Sequence, residues 1–479
     1  MNILKSRNKW RINEKLVSKI IIDNNGDPKR RLFQHRLLIL IITFIIYSTY
    51  HISRKSMSVV KSKLFIDVNS TENWSPFEGQ YGKSMLSMMD ALYWGNYAVF
   101  MFFTGYFAER SDLRYFISGS LILCGIMCII LGLSHQLKIH SETFFIIMEC
   151  LNGIVQTTGW PTVVAIVGVW FGNRKKGLIL GIWNLHTSFG NILGLVIAGA
   201  FVDIDWGFSF IIPGLICIVV AILSFLFLIP HPNDIGIDVE SIDNEQTTTT
   251  TLIESQSSLN HLDKNNNNNN PNDNEKAISF WKALLIPGVI EFAFCLAFTK
   301  SVSYIFLNWL PKFLEENDHL SSSSSAYQSI MFDIGGMIGS IIVGLLADRT
   351  NSSGIICILF LMLAIPSLFV FEKYSAISKA MNFLLQFIAG FFINGPYALI
   401  TTAVSANLAC KVPSKSAMAT VSAIIDGTGS IGAAIGPAIT GPLADKFGWN
   451  SIFNLSMFMD FFAILCLLRI GYQEIRVFI

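Results

Sequence analysis

The sequence is poor in charged residues. Asp, Glu, Lys and Arg make up 14% of its 479 residues, whereas 52% are hydrophobic and the mean hydropathy is +0.52. A soluble domain carries about 25% charged residues, so this composition excludes an ordinary water-soluble protein. The net charge of +1 indicates no class of partner, and we expect no nucleic-acid partner.

Paired cysteines and a cleavable signal peptide are missing as well. The eight cysteines lie within or at the ends of apolar segments, without metal-ligand spacing. We interpret them as small packing residues and expect no metal and no cofactor. The N-terminus is basic and its first apolar run begins only at Leu37, so we expect no signal peptide.

Long charge-free runs are what the sequence contains instead. Crossing a hydrocarbon core about 30 Å thick takes about 20 residues. Six runs are long enough: 115–134, 150–173, 177–202, 206–230, 350–371 and 380–410. Six more spans contain single charges: 36–60, 84–108, 281–310, 326–347, 416–443 and 449–470. The sequence therefore predicts an all-α membrane protein with twelve transmembrane helices.

A polar segment divides these spans into two groups of six. Residues 231–279 contain TTTTT and NNNNNN and could not bury a core, so we expect a disordered cytosolic linker. The predicted parts are a basic tail at 1–35, helical halves at 36–230 and 280–471, and a tail at 472–479. The first 36 residues hold ten Lys or Arg against three acids, which predicts cytosolic termini.

The two halves repeat each other in sequence. GYFAER (105–110) matches GLLADR (344–349), and GWPTVVAIVGVWF (159–171) matches NGPYALITTAVSA (394–406). Parallel six-helix repeats are typical of major facilitator transporters, whose substrate site lies between the halves near mid-membrane. We expect the first motif to latch cytosolic helix ends; the alternative is a plain topogenic loop. The expected latch residues are Gly105, Glu109, Arg110, Gly344, Asp348 and Arg349.

Polar stripes mark three of the predicted spans. The first has spacings of three and four: Tyr47, Tyr50, His51, Arg54, Ser58 and Lys61. Such a stripe faces a wet cavity; the alternative is that Arg54 snorkels to the opposite headgroups. The fifth span carries a second group: Trp183, Asn184, His186, Thr187, Ser188 and Asn191. Here the alternative is a helix–helix hydrogen bond made by the histidine.

The seventh span places Lys300 on one face with Ser303, Tyr304 and Asn308. A charge in mid-span costs about 2.5–3.5 kcal/mol on insertion scales. An ion pair is the alternative to a binding role, and the acids that could serve are Asp90, Glu149, Asp203, Glu291, Asp333, Asp426 and Asp460. Arg54 and Lys300 on opposite halves predict a site for a compact dianion such as phosphate, with sulfate or a dicarboxylate open.

Four segments resemble the organophosphate:phosphate antiporter family, in its eukaryotic sugar-phosphate exchanger branch. They are YHISRKSMSVVKSKL (50–64), GNYAVFMFFTGYFAERSDLR (95–114), VQTTGWPTVVAIVGVWFGNRKKGLILGIWNLHTSFGNILG (155–194) and KSVSYIFLNWLP (300–311). The resemblance spans nearly all of the chain outside the N-terminal tail and the linker. The combination Q-x-x-G-W-P with W-N-x-H-T-S-x-G is its most specific part.

The resemblance implies phosphate recognition by Arg54-Lys55 and a role for His186, which stands one residue earlier than in bacterial members. The second-half Arg of the bacterial carriers falls on Ser303 here, and Lys300 lies one helical turn away. Their second-span Lys is replaced by Met101. The expected substrate-binding residues are Arg54, Lys55, Tyr50, His51, His186, Lys300 and Tyr304.

By this resemblance the protein is expected to exchange a sugar phosphate, with glucose 6-phosphate as the first choice, for inorganic phosphate in the endoplasmic reticulum membrane, and not to be an enzyme. The plasma membrane and other endomembranes are the alternative locations. Another organic anion or a proton-coupled sugar is the first alternative substrate, with Asp90 or Asp333 as proton carrier. A non-transporting sensor or scaffold is the second alternative. The expected partners are a phosphorylated sugar, phosphate and lipid, and no protein partner is indicated.

The predicted topology is tested by glycosylation. Residues 62–83 should lie outside the cytosol, exposing the acceptor sequences at Asn69 and Asn73. We expect a glycosidase-sensitive mass shift that is lost in the Asn69→Gln/Asn73→Gln protein, measured by gel mobility. A loop that reagents reach from the cytosol would contradict this topology.

Overall fold

A computed structural model of the chain describes most of the predicted helical parts. The described residues are 28–66, 76–78, 82–171, 183–237, 280–409 and 417–478. Residues 238–279 of the predicted linker lie outside them, as do Asn69 and Asn73. The first described helix begins at Pro28, within the stretch predicted as a tail, and the last one continues to Phe478.

The described part of the first half contains seven helices. They are α1 (Pro28–Leu64), α2 (Gly82–Arg110), α3 (Leu113–Gln136), α4 (Glu142–Gln156), α5 (Gly159–Phe171), α6 (His186–Phe201) and α7 (Phe208–Phe227). A two-residue turn joins α4 to α5, so that together they make one span. After α1, Phe65–Ile66 pairs in parallel with Phe77–Glu78. A 3-10 turn follows α7 at Pro232–Ile235.

The second half repeats this arrangement after a short helix at Phe280–Leu284. Its long helices are α8 (Val289–Asp318), α9 (Ser322–Thr350), α10 (Ser353–Tyr374), α11 (Lys379–Leu399), α12 (Ala417–Phe447) and α13 (Asn450–Phe478). A 3-10 turn, Ser375–Ile377, follows α10. Beyond α11 the chain forms a π-helical turn at Ile400–Val404 and a short helix at Ser405–Ala409.

Serine and aspartate side chains begin several of these helices. The hydroxyl of Ser141 accepts from the backbone N–H of Phe144 at the start of α4, and Ser321 and Ser378 make the same contact for α9 and α11. Such caps satisfy backbone donors that a helix start leaves unpaired. Short capped connections between consecutive helices make neighbours in the sequence run antiparallel.

The prediction of a twelve-helix membrane protein is confirmed. Among the described residues, nine segments are long and apolar enough to cross a membrane, with α4 and α5 counted as one. The other three spans are α2, α6 and α12. Helix α6 is apolar but shorter, at 16 residues, whereas α2 and α12 are less apolar. Helix α2 packs on α12, and α6 packs on α9, across the two halves. A helix that faces protein needs fewer lipid-compatible side chains than one that faces acyl chains.

The two halves are joined at the end of the bundle where α1 ends, here called the far end. Lys83 of α2 forms an ion pair with Glu316 of α8 at 2.7 Å. The hydroxyl of Ser87 donates to the carbonyl of Pro437 at 2.9 Å and accepts from the N–H of Gly441. A Cβ on Gly441 would overlap the backbone oxygen of Lys83, so glycine permits α2 and α12 to cross this closely.

Candidate functional site

Arg54 of α1 lies against the aromatic interface between the halves. Its Nε donates to Oε1 of Gln156 at 2.5 Å. The guanidinium carbon lies 5.2 Å from the ring centroid of Tyr97, 5.7 Å from Trp94 and 5.8 Å from Tyr47. Its Nη2 is buried and has no hydrogen-bond partner. The side chain therefore points into the protein, and the snorkelling alternative is wrong.

Gln156 is held in place by its own hydrogen bonds. Its amide nitrogen donates to the hydroxyl of Ser53 at 3.2 Å and to Oδ1 of Asn152 at 3.3 Å. Those bonds use the amide nitrogen and leave the oxygen for the guanidinium. Gln156 is the first residue of the Q-x-x-G-W-P motif, but it was not among the expected binding residues. That motif could have identified it.

The fifth-span histidine lies beside the same aromatic group. The ring centroid of His186 lies 4.4 Å from that of Trp183 and 4.6 Å from that of Tyr47. Its Nδ1 contacts the hydroxyl of Thr187 at 3.2 Å, whereas its buried Nε2 has no partner. The side chain therefore bonds within its own helix, and the helix–helix bond here runs from Ser48 to the backbone oxygen of His186.

Lys55 belongs to a polar network that connects the halves. Its Nζ lies 3.5 Å from Asp333 of α9 and donates to the backbone oxygen of Leu307 at 3.1 Å. Asn191 of α6 donates to the same aspartate at 3.1 Å and contacts Nδ1 of His51 at 3.2 Å. Lys55 contacts this carboxylate of the opposite half directly, and His51 is connected to it through Asn191.

The seventh-span lysine has an acidic partner that the sequence could not identify. Nζ of Lys300 lies 2.9 Å from Oδ1 of Asp426 on α12 and 3.2 Å from the hydroxyl of Ser430. The ring centroids of Tyr304 and Tyr397 lie 5.7 Å and 5.9 Å from Nζ. The ion-pair alternative is therefore observed, although a binding role for Lys300 stays a prediction.

An aromatic cluster lies between Arg54 and Lys300. Trp94 and Tyr304, from opposite halves, have ring centroids 4.6 Å apart. We call the group formed by Tyr93, Trp94, Tyr97 and Tyr304 the aromatic bridge. Arg54 stacks on one side of this bridge and Lys300 on the other. The two predicted cations thus face one interface from opposite halves.

Tyr50 does not join this group. Its hydroxyl is 2.7 Å from that of Ser120 on α3, and its ring contacts Gly159 within the core of the first half. At about 100° per residue, Tyr50 lies about 60° around α1 from Tyr47. That rotation takes its ring from the central interface to the packing between helices of one half.

The repeated loop motif is only partly visible. The side chains of Gly105 and Glu109 lie outside the described residues, and Arg110, Asp348 and Arg349 are exposed at the ends of α2 and α9. A Cβ on Gly344 would meet no atom within 4 Å. Gly344 is therefore not a point of close helix approach in this structure.

A small cavity lies beside Arg54 toward the far end. Its lining includes Tyr93, Asp90, Glu149 and Asn308, and it has room for about one water molecule but none for a sugar phosphate. The hydroxyl of Tyr93 and Oε1 of Glu149 are both buried without a hydrogen-bond partner. The site in this conformation is therefore closed around its polar groups.

Known proteins share both the sequence and the fold. The chain is 43% identical over 467 residues to the human "Glucose-6-phosphate exchanger SLC37A2", covering 92% of this chain and 93% of that protein. It is 40% identical over 468 residues to the Arabidopsis thaliana protein named "Putative glycerol-3-phosphate transporter 5", covering 95% of each.

A solved structure of a bacterial homologue of the human lysosomal transporter Spinster, inward-facing and occupied, has a TM-score of 0.66. The match covers 94% of this chain and 98% of that one, at 15% identity, and therefore shows the fold alone. The Major Facilitator Superfamily profile matches residues 37–409. The chain belongs to the Major Facilitator Superfamily. Within it, the chain belongs to the same family as the glucose-6-phosphate exchanger and the putative glycerol-3-phosphate transporter named above.

Proposed function

We propose that the protein exchanges glucose 6-phosphate for inorganic phosphate by alternating access. The observation that carries this proposal is the guanidinium of Arg54, which donates to an amide and keeps a buried nitrogen without a partner. A buried charge without a counter-ion is costly. An anion that enters between the halves would supply that counter-ion.

The other cations near the site already have carboxylate partners. Lys55 is paired with Asp333, and Lys300 with Asp426. Arg54 is therefore the first ligand of the anion in this proposal, and its planar fork matches two oxygens of a phosphoryl group. Lys55 and Lys300 bind the anion after Arg54 does. For this, each lysine exchanges its contact with Asp333 or Asp426 for a contact with the anion.

The relatives support a phosphate ester as the substrate. One is named for glucose 6-phosphate and another for glycerol 3-phosphate. The two esters share the phosphoryl group and differ in the organic part. The phosphoryl group is thus the part of the substrate that Arg54 binds. Glycerol 3-phosphate is the second candidate substrate, favoured by the name of the Arabidopsis relative.

Charge distribution supports a membrane orientation. The excess of Lys and Arg before α1 favours cytosolic termini and linker. The far end would then face the lumen of the endoplasmic reticulum, the location we propose for the protein. The contacts of Lys83 and Ser87 close the bundle at the far end, which corresponds to a conformation closed toward the lumen.

The proposed function is tested by exchange in liposomes. Purified protein is reconstituted into vesicles that contain glucose 6-phosphate, glycerol 3-phosphate or no substrate, and entry of labelled phosphate is measured. We expect entry at least about tenfold faster into vesicles with sugar phosphate, because the empty carrier must reorient with Arg54 uncompensated; about 1.4 kcal/mol gives this factor. Equal entry into loaded and empty vesicles would overturn the exchange mechanism.

Arg54→Lys tests the anion ligand. The substitution keeps the charge and loses the fork, and a hydrogen bond to a charged group contributes about 1.5–3 kcal/mol. We expect exchange to fall about 10- to 100-fold at an equal amount of reconstituted protein. Arg36→Lys is the matched control, because Arg36 lies on the same helix and donates to the backbone oxygen of Trp170. Wild-type exchange by Arg54→Ala would refute the assignment.

Variants of the Lys300–Asp426 pair distinguish a structural role of Lys300 from a substrate-binding role. Either Lys300→Ala or Asp426→Ala leaves one charge uncompensated, which costs up to about 3–5 kcal/mol for a fully buried pair. We expect both variants to lower the Tm in detergent, and Lys300→Met/Asp426→Leu to recover much of it without recovering exchange. Lys373→Ala, which removes the half-exposed lysine of the pair with Glu372, is the control. Normal exchange by the double variant would show that Lys300 is not a substrate ligand.

A further inference from the structure

Glu149 is a buried carboxyl group that is neither a ligand in the proposed anion site nor the partner of Lys300. It lies on α4 with 3% of its surface exposed, and its Oε1 has no hydrogen-bond partner. It lines the small cavity together with Arg54 and Tyr93, whose Nη2 and hydroxyl are unpartnered as well. Three polar groups from three helices therefore converge on one water-sized space.

The groups that face Glu149 come from each helix packed around it. Lys61 and Arg54 lie on α1, Asp90 and Tyr93 on α2, and the thiol of Cys128 on α3. Cys150 and Asn152 flank it on its own helix. Positively and negatively charged side chains therefore surround Glu149. Which side chain keeps an uncompensated charge depends on the hydrogen bonds and ion pairs that each one makes.

The charges around Glu149 are largely used by other partners. Lys61 forms an ion pair with Asp90, lies under the ring of Trp309 and donates to the backbone oxygen of Asn308. Arg54 gives its Nε to Gln156. Asp333, another buried carboxylate near the site, is held by Lys55 and Asn191. Glu149 is thus the carboxyl group of this cavity with a free, buried oxygen.

A proton is the ligand that this group can accept. Burying an unpaired carboxylate is costly, and uptake of a proton removes the charge. A metal cation would need several oxygen ligands at once, in a space for about one water molecule beside two basic side chains. The size and charge of the cavity therefore favour a proton over a sodium ion or a divalent cation.

We infer that Glu149 is a proton-binding site linked to anion binding at Arg54, so that the loaded carrier takes up a proton together with its phosphate ester. This inference rests on the proposed function. A bound anion brings negative charge toward Glu149, which favours its protonation, and by linkage a proton on Glu149 favours anion binding to the same degree. Protonated Glu149 can also donate into the cavity, which the carboxylate cannot.

The test compares half-saturating phosphate concentrations for exchange between about pH 5.5 and about pH 8. Wild-type protein is compared with Glu149→Gln, which imitates the protonated side chain. The ionisation of phosphate is the same for both proteins, so the ratio of the two concentrations isolates Glu149. We expect the half-saturating phosphate concentration of the wild type, divided by that of Glu149→Gln, to be near one at low pH. As the pH increases, this ratio should rise by up to about tenfold per pH unit.

Glu142→Gln is the matched control, because Glu142 is an exposed acid in the first turn of the same helix. The ratio of the half-saturating phosphate concentrations of wild type and Glu142→Gln should stay constant with pH. A constant ratio for Glu149→Gln, or a dependence on sodium in place of pH, would overturn the inference while leaving exchange intact. Absence of saturable exchange in wild-type protein would instead refute the proposed function.

A second measurement needs no variant. Wild-type protein in weakly buffered detergent solution receives phosphate that has been adjusted to the same pH, and proton uptake is followed with an indicator dye. We expect uptake of up to about one proton per bound anion. Binding of phosphate without proton uptake at any pH in the range would overturn the inference even if Glu149→Gln failed to fold.

Discussion

Compensation of buried charge is the constraint on which this structure depends. Inside a membrane protein a charged side chain needs a partner, because neither lipid nor apolar packing replaces water. Lys55, Lys61 and Lys300 each lie beside an aspartate from another helix. Arg54 instead donates to an amide and stacks on aromatic rings. Among the described cations at this interface, Arg54 is therefore the side chain whose charge remains for a substrate.

The same constraint connects the site to closure of the bundle. Lys55 and Lys61 lie on α1 within two helical turns of Arg54, and they donate to backbone oxygens of Leu307 and Asn308 on α8. A change at Arg54 thus acts on a helix that also bonds to α8 of the opposite half. In the proposed mechanism, ligand binding and the opening of the halves would therefore both act on the contacts between α1 and α8.

Much of the fold and part of the site followed from local patterns. Apolar runs predicted twelve spans, and helical spacing brought Tyr47, His51 and Arg54 to one face. There Tyr47 packs against Trp183 and His186, His51 lies beside His186, and Arg54 lies over the ring of Tyr47. Tyr50 shared the spacing but lay at the edge of the stripe and packs within one half. Spacing gives the angle of a residue around its helix, and the position of the neighbouring helices decides which edge of a stripe is covered.

The sequence by itself determined which residues are out of place in lipid. Arg54, His186 and Lys300 are polar groups inside apolar runs, and their cost is a property of the run alone. Only the tertiary structure decided what compensates each one. Asp426 follows Lys300 by 126 positions, and Glu149 and Arg54 share a cavity although they come from different helices. Partners so distant in sequence are chosen by how helices pack and rotate, because burial and pairing depend on atoms a few ångströms away rather than on neighbours along the chain.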